Sequence, residues 1–319
     1  MTVARAAGTT DTGRRRRHNE DSFVLLSPLF AVADGMGGAQ AGEVASRLAA
    51  TALAEFDAGG SGEERIVKLV QEANRRVHTA STEDSARAGM GTTMTAALVA
   101  DDTVTIGHVG DSRAYRLRDG ELEQLTEDHT LVAELMRSGK LSAEEARIHP
   151  QRSVITRALG ADPDVDVDVF TLETQPGDVF LLCSDGLSSM VEDDDIRASL
   201  EAHLDDLDAA VDELIQKALI GGGEDNVTVV VFAIGEPGSE PDELERTREH
   251  AIPPPADDDT LDETDGVRTL GDTTVMRVPE IEAAVALEPS QPRRGVLAPA
   301  LLILLVALIV VLAVWGLTR

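Results

Sequence analysis

The chain is expected to fold as an α+β domain built on antiparallel sheets, and three features of its 319 residues carry that expectation. Short apolar runs with β-branched content recur through the first 235 residues, separated by turn residues, which is the pattern of strands. Helical patterns stand between groups of these runs and do not alternate with them one for one, as a parallel α/β sheet would require. Aromatic residues make up only 3% of the chain, so the core has to be assembled from Val, Leu, Ile and Ala.

In chain order, SFVLLS (22–27) and LFAVAD (29–34) open the series of strands. GEVASRLAATALAEF (42–56) and EERIVKLVQEANRRVHTA (63–80) repeat their apolar residues every three to four positions and read as helices. TMTAALVA (93–100) and TVTIGHVGD (103–111) return to strand patterning. LRDGELEQL (117–125) reads as a hairpin with Asp119-Gly120 at its turn, since that dipeptide tolerates the positive φ angles of a tight turn. DVFLLCSD (178–185), the helical LDDLDAAVDELIQKALI (204–220) and NVTVVVFAI (226–234) complete the domain, set at residues 1–235. Cys183, the single cysteine, excludes an intramolecular disulfide and a zinc site of paired cysteines, and its apolar neighbours mark it as a small core residue.

Beyond residue 235 the composition changes. Residues 236–292 carry 16 acidic side chains against 4 arginines, with repeated prolines and no sustained apolar period. Such a segment cannot bury enough apolar surface to offset its chain entropy, so 236–295 is expected to be a disordered acidic linker. Val296–Leu317 is an uncharged run of 22 residues, about 33 Å long as a helix, enough to cross a hydrocarbon core. Arg293 and Arg294 precede it and Arg319 follows, a bias that keeps the large N-terminal part in the cytoplasm of a single-pass membrane protein. The whole chain has 28 basic and 58 acidic residues, a net charge of −30 that disfavours nucleic acid as a partner.

The chemistry is carried by acids at the ends of strands. Asp34, Asp111 and Asp185 close or follow apolar runs, Asp225 precedes one, and Glu20-Asp21 lies directly behind the arginine block Arg14–Arg17. One such acid is an ordinary turn residue. Gathered together, they repel one another unless a cation compensates, and their oxygen donors suit Mg²⁺ or Mn²⁺ better than zinc. Adjacent glycines allow close approach of the backbone, so that a carbonyl can also be a ligand. A pair of such ions about 3.5–4 Å apart activates a bridging water and neutralises a phosphoryl oxygen. An arginine beside them grips the remaining phosphate oxygens. The pattern describes hydrolysis of a phosphate ester.

Seven motifs in order, RHNED, VADGMGG, GMGTTMTAAL, VGDSRAYRL, HPQRSVITRALG, LLCSDGLSSMV and GGEDNVTVVVF, resemble the metal-dependent serine/threonine phosphatases of the PPM, or type 2C, family, above all its bacterial membrane-anchored members. The resemblance covers residues 1 to about 235. It implies a central sandwich of two antiparallel sheets flanked by helix pairs, with two Mn²⁺ or Mg²⁺ ions at one end and a third, weaker metal beside them. By position, Asp34 would bridge the two ions and the Gly35 carbonyl would bind one of them. Asp185 and Asp225 would hold the first ion, Glu20 would serve the second through water, and Asp21 would support the ligands from behind. Arg16 would hold the substrate phosphate. Asp111 would help to bind the third metal, with Ser153 as a candidate companion.

One position departs from the pattern. Many eukaryotic members have a histidine two residues after the bridging aspartate, proposed as general acid; here Met36 stands there and has no proton to give. His18, His108, His129 and His149 are expected to be structural or exposed. Residues 129–153 fall where family members carry a flap beside the cleft, and both a mobile lid and a rigid surface helix pair fit their pattern. Thr260, Thr264, Thr269, Thr273 and Thr274 in the linker are candidate phosphorylation sites that would recruit a phosphothreonine-binding module. The function implied is removal of phosphate from Ser or Thr of cytoplasmic proteins, including Ser/Thr kinases, in opposition to those kinases. The alternative is a catalytically inactive membrane scaffold that recruits partners through its acidic tail.

Overall fold

The computed structural model describes residues 2–37, 41–55, 58–60, 62–236 and 274–275. Its centre is a sandwich of two antiparallel sheets. One sheet has the order β1 (Thr2–Asp11), β12 (Val227–Gly235), β11 (Val179–Cys183), β7 (Arg113–Arg118) and β8 (Glu121–Gln124). The other has the order β10 (Asp168–Glu173), β6 (Thr103–Val109), β5 (Met94–Ala100), β3 (Leu29–Met36) and β2 (Asp21–Leu26), with β4 (Gly91–Thr92) paired to the end of β3.

The central strands read as unbroken apolar runs because both of their faces are covered. Along β12, Val230, Phe232 and Ile234 enter the core between the sheets, while Val227, Val229, Val231 and Ala233 face the helices. Strand β3 divides in the same way, with Phe30 and Val32 inward and Leu29, Ala31 and Ala33 outward. Phe232 stacks between Phe30 of the opposite sheet, at 4.4 Å, and Phe180 of its own, at 5.1 Å. Three stacked aromatic rings thus hold the centre of a core that is otherwise mostly aliphatic.

The outer layers are helical. Helices α1 (Ala41–Glu55) and α2 (Gly62–Glu83) cover the second sheet, α1 through an alanine face of Ala45, Ala49 and Ala52 that lets it lie close. On the first sheet the helices are three: a one-turn α5 (Asp185–Ser188), then α6 (Asp193–Ala202) and α7 (Leu207–Gly221). The expected pairs are therefore present, with α5 added because the chain turns sharply after β11. The β7–β8 hairpin turns on Asp119 (φ 52°) and Gly120 (φ 79°), both left-handed as the dipeptide implies.

Two of the longer strands were not apparent in the sequence. TVARAAGTTD is too rich in Ala, Gly and Thr to announce β1, which is held by its full-length pairing with β12. Strand β10 is an edge strand with half-exposed residues, and its pattern is correspondingly weak.

Residues 129–153 form two short helices, α3 (Leu131–Arg137) and α4 (Ala143–Arg147), with Gly139 at φ 70° between them. Thr130 caps α3, and Ser142 with Glu145 forms a reciprocal capping box on α4. The strand β9 (Val154–Ile155) follows. Within the linker that was expected to lack structure, Thr274–Val275 forms β13, parallel to β9, with Thr274 opposite Val154 and Val275 opposite Ile155. Threonine and valine favour extended backbone, which the acidic composition around them conceals. The remainder of the linker past Glu236, and the expected span 296–317, lie outside the described residues. Among the described residues no helix is long and apolar enough to cross a membrane.

Candidate active site

All the strand-end acids except Asp111 are tied to one another through the ends of β2, β3, β11 and β12. Asp21, the first residue of β2, is the register partner of Asp34 on β3. The Gly35 amide donates to the Glu20 carbonyl at 3.1 Å. The Asp34 amide donates to Thr93 Oγ1 at 3.0 Å, and the Asp34 carbonyl accepts from the Thr93 amide (2.9 Å) and Thr92 Oγ1 (2.8 Å). Asp34 is thus fixed by its backbone, and the residue is partly exposed.

Asp21 links the two sheets. Its Oδ2 accepts from Ser184 Oγ at 2.8 Å and Thr228 Oγ1 at 2.6 Å, both on the opposite sheet's side of the site. Ser184 and Thr228 bond each other as well, the Thr228 amide donating to Ser184 Oγ at 2.9 Å. Asp185 therefore leaves β11 from a fixed point and starts α5. Gly186 is required next to it, since a side chain there would run into the Asn226 carbonyl.

Two positions that matter were missed in the sequence. Asn226 Oδ1 accepts from the Glu20 amide at 2.8 Å, and its Nδ2 donates to the carbonyls of Thr12 (2.8 Å) and His18 (3.0 Å). One buried side chain thereby fastens the arginine-bearing segment to the start of β12. The Asn beside Asp225 was visible, but its three partners, distant in sequence, were not. Gly42, on the first turn of α1, faces the Glu20 carboxylate so closely that a Cβ there would lie 2.8 Å from Oε2.

Electrostatics shows how closely the acids are gathered. Burial, opposed by the bonds from Thr228 and Ser184 and reinforced by Asp225 and Glu20, pushes Asp21 up to about 7. Burial, with Asp225 and Asp21 adding to it, pushes Asp185 up to about 7. Burial and then the charges of Asp21, Asp185, Asp225 and Asp111 hold Asp34 well above the carboxylate range. Asp111, buried behind β6, is raised by burial and by Asp185 and Asp128.

Arg16 lies among these groups. Its Nη2 donates to Asp225 Oδ2 at 2.8 Å, with both side chains half-buried. Burial opposes its charge, but Asp225, Glu20 and Asp34 outweigh that and hold the guanidinium firmly protonated. Arg15 pairs with Glu224 at the surface, and Ser153 is exposed directly ahead of β9.

The donor set fits a hard divalent cation. Every candidate ligand is an oxygen, and Asp21 Oδ1 and Asp185 Oδ1 are buried without a hydrogen-bond partner. Among the described residues no three of these side chains already converge as a finished coordination sphere.

His108 and His129 are structural. His108 is fully buried between Thr95 Oγ1 and the Glu127 carbonyl, and burial drives it down to about 3, so it stays neutral. His129 Nδ1 accepts from the Gly110 amide at 3.0 Å and its Nε2 faces Asp168. Met36 is buried and packs against Ile155 and Ala158, as a hydrophobic contact between the end of β3 and the segment after the flap.

A sandwich of this topology with acids at one end and an arginine among them defines a phosphatase domain of the metal-dependent class. The family model described as Protein phosphatase 2C matches residues 14–219, and the chain belongs to that family. It is 45% identical over 232 residues to the serine/threonine protein phosphatase PstP of Mycobacterium tuberculosis, an alignment taking in 72% of this chain and 45% of that protein. It is 43% identical over 234 residues to the serine/threonine phosphatase stp of Listeria monocytogenes, 70% of this chain and 92% of the relative. The chain thus spans less than half the length of the mycobacterial relative and nearly all of the listerial one. Among solved structures, the catalytic domain of PstP in complex with two manganese ions superposes with a TM-score of 0.68 at 41% identity, over 74% of this chain and all of that one.

Proposed function

We propose that the chain is a metal-dependent protein phosphatase that hydrolyses phosphoserine and phosphothreonine on cytoplasmic proteins, held at the cell membrane through residues 296–317 and acting in opposition to Ser/Thr kinases. The observation that carries the catalytic reading is the gathering of Asp34, Asp185, Asp225, Asp21 and Glu20 around Arg16, with two buried carboxylate oxygens left unpartnered. The manganese complex of the PstP catalytic domain supports a pair of ions here. Asp34, the Gly35 carbonyl, Asp185, Asp225 and Glu20 would hold them, and Asp111 with Ser153 would attend a third. Bound ions supply an ionised water and neutralise charge on the phosphoryl oxygens.

The chain's own residues do the rest. Arg16 exchanges Asp225 for the substrate phosphate and orients it by a forked pair of hydrogen bonds. Asp21 and Asn226 keep the ligands in place from behind, and Met36 keeps the end of β3 seated. The membrane location rests on the length and apolarity of 296–317 and the arginines before it. The intact acid set disfavours the inactive scaffold.

The test is phosphate release from a phosphothreonine peptide by the full chain with Mn²⁺, with EDTA, and for Asp34→Asn and Asp185→Asn. Release should need the metal and should fall about 100-fold or more in each folded variant, the scale on which losing one transition-state charge partner is felt. Wild-type levels in both variants would sink the assignment.

A further inference from the structure

Strand β9 has a neighbour on each side. On one, Ile155 bridges to Thr130 at the head of α3, and the Thr156 amide donates to the His129 carbonyl at 2.8 Å. On the other lies β13, Thr274–Val275, far along the chain. Ile155 also touches Met36, which follows Gly35 directly, and Met36 pairs with Gly91 on β4. Next to Gly91, Thr92 donates to the Asp34 carbonyl. The edge that receives β13 is therefore joined to the strand carrying Asp34 by one side-chain contact.

We infer that this edge of β9 is a docking edge for extended polypeptide beside the active site, and that the chain's own tail occupies it through Thr274–Val275, in competition with the phosphorylated segment of a substrate. The inference rests on the phosphatase reading above. Main-chain pairing of this kind accepts an extended segment with little regard to its side chains. That suits an enzyme whose substrates share only a phosphorylated residue. Two paired residues would hold a free peptide poorly, but a segment on the same chain meets the edge at high effective concentration. A substrate must displace it, so its apparent affinity falls by the fraction of molecules in which the edge is open. A small phosphate ester, which needs no edge, is indifferent to the tail.

The experiment compares the full chain with its Thr274→Pro/Val275→Pro double variant, in which the tail segment becomes a poor pairing strand. KM for a phosphothreonine peptide should fall about threefold or more in the variant, with kcat unchanged and with KM for p-nitrophenyl phosphate unchanged. Amide hydrogen exchange at Ile155 should quicken in the same variant, while Val154, whose amide donates to the Gln151 carbonyl at 3.2 Å, stays unchanged. An equal peptide KM in the two proteins overturns the inference, and so does equal exchange. A wild-type chain that releases phosphate from neither substrate would sink the phosphatase reading instead, and the exchange comparison would still decide whether the tail docks.

Discussion

Asn226 shows how much of the site depends on a side chain that does no chemistry. It spans three partners, two of them carbonyls of the segment that carries Arg16 and Glu20. Asn226→Ala should raise the Mn²⁺ concentration needed for half activation by about 10–100-fold, the usual cost of losing support behind a metal ligand. Asn226→Asp, which keeps the acceptor for the Glu20 amide and loses both donors, should fall between. A metal titration of activity in the two variants checks the order; wild-type metal affinity in Asn226→Ala would refute the positioning role. At this scale the sequence was legible where a residue type sits beside its own motif. Asp34, Asp111, Asp185 and Asp225 could be picked out because each closes or opens an apolar run. Asn226, Gly42 and Thr93 could not, because their partners come from chain segments many residues away and no local pattern encodes those distances. Met36 was recognised as a departure, but its contact with Ile155 belongs to tertiary packing alone.

The elements place those residues by alternation. In β3 and β12 every second side chain enters the sandwich core and the others meet helices, so a shift of one residue would turn Asp34 away from the cleft. The stack of Phe30, Phe232 and Phe180 is the main lock on that register. Phe232→Ala should cost about 3–5 kcal/mol of folding free energy, as for other buried aromatics. Denaturant unfolding of the metal-free protein measures it, and a loss below about 1 kcal/mol would show that the aliphatic core suffices. Strands covered on both faces were easy to find in the sequence, since each is an apolar run. β1 and β10 were hidden for the opposite reason: edge strands are chosen by their neighbours and carry little pattern of their own. For residues 129–153 the pattern fitted both a mobile lid and a helix pair, and the pairing of β13 with β9 was not foreseen, because two β-branched residues in an acidic stretch are too few to make a pattern.

For the molecule as a whole, the gathered acids are a strain on folding that a cation relieves. The folded, metal-free protein keeps protons on Asp21 and Asp185 up to about pH 7. The unfolded chain releases them near pH 4. The folded state therefore binds more protons across that window, and its stability must fall as pH rises from about 4 to about 7. Thermal unfolding in EDTA should show this slope, and the Asp21→Asn/Asp185→Asn variant should flatten it. Added Mn²⁺ should raise the melting temperature most at the upper end of the window, where the carboxylates are ionised and free of competing protons. A slope unchanged in the variant would mean that other groups carry it. The pairing of β1 with β12 has a temporal meaning too. Residues 2–11 leave the ribosome well before their partners, 227–235. At roughly 5–20 residues per second the opening strand waits about 10–40 s for its mate. Asp225 and Asn226 arrive with that mate, so a nascent chain has neither the full set of carboxylates nor the fastening of Arg16 until the domain is complete. Closure of the sheet and completion of the site are one event, and a translation product cut short before Asp225 lacks part of the acid set.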